Sequence, residues 1–156
     1  MVQKCYNSRK EASSIRKFSI LLALLLVFSL AGCGGKDSAK AEIFDLVEEN
    51  SDTILEACTQ LDVEALEQLE GITRVHVTDG YILVYCTGSG IAPSSQDHGF
   101  YYAPDGQPVA VFDGQILCGT DELTPEGDGF VYLDSGHNRF YTEHIMGNLY
   151  YYSASF

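Results

Sequence analysis

Residues 20–30 form an apolar run, Ile-Leu-Leu-Ala-Leu-Leu-Leu-Val-Phe-Ser-Leu, broken only by Ser29. Its length decides its role. A helix that spans a membrane needs about 20 apolar residues, whereas the hydrophobic region of a secretory signal needs about 7–15. Lys4, Arg9, Lys10, Arg16 and Lys17 precede the run, opposed only by Glu11, and the small residues Ala31 and Gly32 follow it. A basic segment, a short apolar segment and small residues in that order predict a signal peptide over residues 1–32. Whatever folds must then be built from residues 33–156. That length suits a single domain with a sizeable core, and a chain that is 46% hydrophobic can fill one.

The exit from the run reads Leu30-Ala31-Gly32-Cys33. It resembles the lipobox of bacterial prolipoproteins, in which a small residue pair precedes the cysteine that receives a diacylglyceryl group. The resemblance implies cleavage before Cys33, lipid on its sulfur, and a protein held at the cell membrane on its extracytoplasmic face. Two acyl chains at one residue suffice for stable anchoring, where a single chain gives marginal binding. The alternative is ordinary secretion, with Ser29-Leu30-Ala31 as a small-x-small cleavage site. Residues 33–40, beginning Cys33-Gly34-Gly35-Lys36-Asp37-Ser38, read as the acylated cysteine and a flexible tether, and residues 41–156 as one domain.

Charge narrows the partners. After Cys33 the cations are Lys36, Lys40, Arg74 and Arg139; these four stand against twenty-one of the chain's 22 acidic residues, a formal charge near −17. Such a surface repels phosphate backbones, which argues against nucleic acid, and it lacks the basic patch that docks proteins onto anionic lipid.

From 42 to 58, Ile43, Val47, Ile54 and Cys58 recur at helical spacing, with Phe44, Leu46 and Leu55 widening the stripe and acidic residues elsewhere. Asp62 is placed to cap a short second helix over 63–70, with Gly71 as its stop. Beyond Gly71 the pattern turns to strands, expected over 72–77, 81–87, 100–103, 108–112, 115–118, 129–133, 139–145 and 149–155. Asp79-Gly80, Asp105-Gly106, Asp113-Gly114 and Gly147-Asn148 mark turns. The expected class is α+β: two N-terminal helices packed on an antiparallel meander sheet or partial barrel. Residues 88–99 and 119–128 read as long loops.

Four groups of side chains are candidates for function. Asp121, Glu122, Glu126 and Asp128 cluster in the second loop, and carboxylates with interspersed glycines suit calcium, although the alternating acids of an EF-hand are absent. Ser89, Ser94 and Ser95 share the first loop with Asp97 and His98, the residue types of a serine hydrolase without its Gly-x-Ser-x-Gly turn. Tyr101, Tyr102, Tyr150, Tyr151 and Tyr152 fall on both faces of their strands; with one face in the core, several rings are expected at the surface, as rigid contact area for a protein, peptide or glycan. Cys58, Cys86 and Cys118 remain after Cys33; a Cys86–Cys118 disulfide and three buried thiols are the two arrangements open to an exported chain. No His-x-x-x-His or Cys-x-x-Cys spacing occurs, so no zinc or redox motif is expected.

Residues 99–102, 142–145 and 150–152 resemble small exported proteins of Gram-positive bacteria, a resemblance that implies no activity and no site residues. Together these features predict a lipid-anchored, extracytoplasmic, non-catalytic binding module. A small hydrolase using His98 and a calcium-dependent structural protein are the alternatives.

Overall fold

The computed structural model describes residues 36–91 and 94–156, with a compact unit from Asp37 to Phe156. The expected signal peptide, Cys33 and the first tether residues lie outside the described residues. Helices α1 (Lys36–Glu49), α2 (Ser51–Gln60) and α3 (Val63–Glu67) come first. Then follow β1 (Arg74–Thr78), β2 (Tyr81–Ile91), β3 (Ser94–Tyr102), β4 (Ala110–Phe112), β5 (Gln115–Cys118), β6 (Thr124–Glu126), β7 (Gly129–Leu133), β8 (Arg139–Met146) and β9 (Leu149–Ser155). The class is α+β with antiparallel strand pairs. Among the described residues no helix is long and apolar enough to cross a membrane.

The helical region differs from expectation in its joints. Residues 36–40, expected as tether, are already helical. The single helix expected over 42–58 is split at Asn50, whose backbone (φ −113°, ψ 20°) leaves the helical region. The Asn50 amide donates to the Leu46 carbonyl at 2.9 Å, the local competition that makes Asn a poor residue for a helix interior. Leu61 ends α2 in the left-handed region at φ 56°. Asp62 caps α3 as expected, accepting from the Ala65 amide at 3.1 Å.

Strand order in the seven-stranded sheet is β1-β2-β3-β9-β8-β7-β6, and β4-β5 form a separate ribbon. This is not the expected meander: the C-terminal strand inserts between β3 and β8. The β1–β2 and β4–β5 hairpins close through Asp79-Gly80 and Asp113-Gly114, with positive φ at all four residues (49° and 84°, 44° and 75°), the two-residue geometry that Asp-Gly favours.

Residues 88–91 and 94–99 are strand and not loop. They lengthen the antiparallel β2–β3 pair, with a bulge between Tyr85 and Thr87. The glycines, Pro93 and serines of this stretch have the composition of a flexible connector, yet Gly99 is a packing position. A Cβ there would fall 1.9 Å from the Val84 carbonyl oxygen and 2.7 Å from the Tyr152 ring. The expected loop over 119–128 likewise contains a 3-10 turn, Thr120–Glu122, and the edge strand β6, where Pro125 is tolerated.

Both faces of the sheet are covered. On one, Val75, Ile82, Val84, Phe100, Leu149 and Tyr151 form a buried cluster with Ile43, Val47, Ile54 and Leu66 of the helices. On the other, Leu83, Tyr101, Tyr150 and Tyr152 pack with Val109 and Val111, and Phe140 and Ala154 with Ala110 and Cys118. Burying one large apolar side chain contributes about 1.5–3 kcal/mol relative to exposure, so both layers bind their face strongly.

Candidate functional site

That double cover overturns the tyrosine surface. Tyr101, Tyr150, Tyr151 and Tyr152 are 0%, 7%, 3% and 6% exposed, and Tyr102 is half-buried. Alternation along β9 sends Tyr151 toward the helices and its neighbours toward β4 and β5. The rings of Tyr101, Tyr150, Tyr151 and Tyr152 are core, and the hydroxyls of the first three are hydrogen-bonded. Tyr101 donates to the Val109 carbonyl at 3.1 Å, accepts from the Val109 amide at 2.9 Å and lies 2.7 Å from Thr142 Oγ1. Tyr150 donates to the Gly106 carbonyl at 2.7 Å.

The cysteines follow the same pattern. Cys58, Cys86 and Cys118 are free and buried, so the expected Cys86–Cys118 bridge does not form; Cys86 belongs to the helix-side cluster and Cys118 to a cluster on the opposite face. Burial pushes the thiols of Cys58 and Cys86 up to about 12 and raises that of Cys118. Little reactive thiolate exists at neutral pH.

His98 and Ser95 do not meet. The imidazole is 5% exposed, and its Nδ1 lies 2.7 Å from Tyr151 Oη inside the core. Ser95 is three positions away on the same strand, so it projects from the opposite face. A nucleophile and base need hydrogen-bond reach, and this pair lacks it.

The four loop carboxylates are also divided. Asp121 and Glu122 sit on the 3-10 turn, Glu126 is ion-paired with Arg139, and Asp128 lies in the turn that leads into β7. Among the described residues no group of three or more His, Cys, Asp or Glu side chains is placed to hold a metal ion.

Two of the four, however, line a groove of about 420 Å³ whose other lining residues the sequence did not reveal. Tyr81, at the start of β2, and Asp105, in the turn after β3, line it with Gln107, Val109, Gly119 and Thr120, beside Asp121 and Glu122. The volume is within the range of small-ligand sites. Its walls are tied in place. Tyr81 Oη donates to Asp105 Oδ2 at 3.0 Å, the other Asp105 oxygen accepts from the Gln107 amide at 3.1 Å, and Thr120 Oγ1 donates to the Pro108 carbonyl at 2.9 Å. Burial, then the Asp105 hydrogen bond and charge, push the Tyr81 phenol up to about 12, so it stays a neutral donor. No Lys or Arg lines the groove. Its charged groups are the carboxylates of Asp105, Asp121 and Glu122, all acceptors. Asp105-Gly106 reads in sequence only as a turn, and Tyr81 lies far from it along the chain, so their pairing had no local signal.

Comparisons with protein-family models, characterised proteins and solved structures give no match.

Proposed function

We propose that this chain is a lipid-anchored extracytoplasmic lipoprotein whose domain is a non-catalytic binding module. The observation that carries the anchoring is Leu30-Ala31-Gly32-Cys33 directly after the apolar run of residues 20–30. Helix α1 begins at Lys36, so a chain anchored at Cys33 has two residues, Gly34 and Gly35, before it, a reach of at most about 10 Å. The domain works close to the membrane surface.

The groove supports the binding reading and takes the place of the tyrosine face. It offers fixed acceptors and no paired nucleophile and base. The ligand it suits is a protein, peptide or glycan segment that presents hydrogen-bond donors or positive charge. Calcium is not needed for that role.

Anchoring is tested by fractionation and intact mass. Cys33→Ala should move the protein from the membrane fraction to the soluble exported one, while the wild-type N-terminus is a lipid-modified Cys33. An unmodified mature chain that begins at Gly32 would show ordinary secretion instead.

A further inference from the structure

We draw no further inference here: the strongest candidate, the acidic groove between Tyr81, Asp105 and the Thr120–Glu122 turn, belongs to the site already described, and nothing in the structure beyond its carboxylates shows what fills it.

Discussion

Tyr101 shows how much a single hydroxyl can hold when it is sealed from water. It satisfies both backbone groups of Val109 and faces Thr142, which joins β3, the segment leading to β4, and β8. Tyr101→Phe leaves the buried Val109 amide without a partner, and a stranded buried donor costs about 1–3 kcal/mol. Urea unfolding should show that loss. Tyr102→Phe, half-buried on the opposite face, should change stability by less than about 0.5 kcal/mol; equal losses from both would mean the Tyr101 network is not what stabilises the region. The acidic residues give a second test at this scale. With Glu126 engaged by Arg139 and no cluster of metal-ligating side chains among the described residues, millimolar calcium should leave the melting temperature unchanged. A rise that Asp121→Asn or Asp128→Asn abolished would bring back the calcium reading.

At the scale of elements, what was legible in the sequence was what local chemistry controls. Both two-residue Asp-Gly turns and the Asp62 cap lie where they were expected, because those residue types fix their own backbone geometry. The β2–β3 extension has no local signal, because Gly99 makes room for the Tyr152 ring across the strand pair, a contact set by tertiary structure. The insertion of β9 beside β3, and with it the burial of three consecutive tyrosines, is equally non-local. So is the ion pair that ties α1 to the sheet: Lys40 Nζ lies 2.6 Å from Glu143 Oε2, which also accepts from the Tyr141 hydroxyl. Glu143 is buried while the Lys40 side chain is about a third exposed. Lys40→Ala leaves the carboxylate without its counter-charge, at a cost of about 1–3 kcal/mol after allowance for solvent on the lysine side. Adding Glu143→Gln removes that stranded charge, so the double variant should be more stable than the sum of the two losses predicts, by about 1 kcal/mol. Strictly additive losses in urea unfolding would show that the two side chains do not act on each other.

For the molecule as a whole, Lys40, Arg74 and Arg139 are each committed to one carboxylate, and four cations after Cys33 cannot offset twenty-one acidic residues, so most of that negative charge is uncompensated. Net charge of this size keeps a domain soluble and works against compactness through self-repulsion. Alkali adds to it through groups the fold protects. Burial pushes Cys58 and Cys86 from 9.0 to about 12, and Tyr81 and Tyr151 from 10.0 to about 12. These groups are neutral when protonated, and their folded values exceed their unfolded ones. In the window between, the folded state therefore holds protons that the unfolded state has released, and stability falls as pH rises. That contribution is complete below about pH 9, declines through the window, and is lost above about pH 12. Chemical unfolding at a series of pH values should give a plateau up to about pH 8.5 and a steady decline beyond it. The partly exposed Tyr81 adds least to this slope, because solvent screens it, and the two deeply buried thiols add most at its start. Cys58→Ala with Cys86→Ala lowers stability at every pH by removing packed sulfur atoms, but it should also make the decline between pH 9 and 10 shallower. An unchanged slope in the double variant would assign the alkaline sensitivity to the tyrosines and to surface repulsion instead.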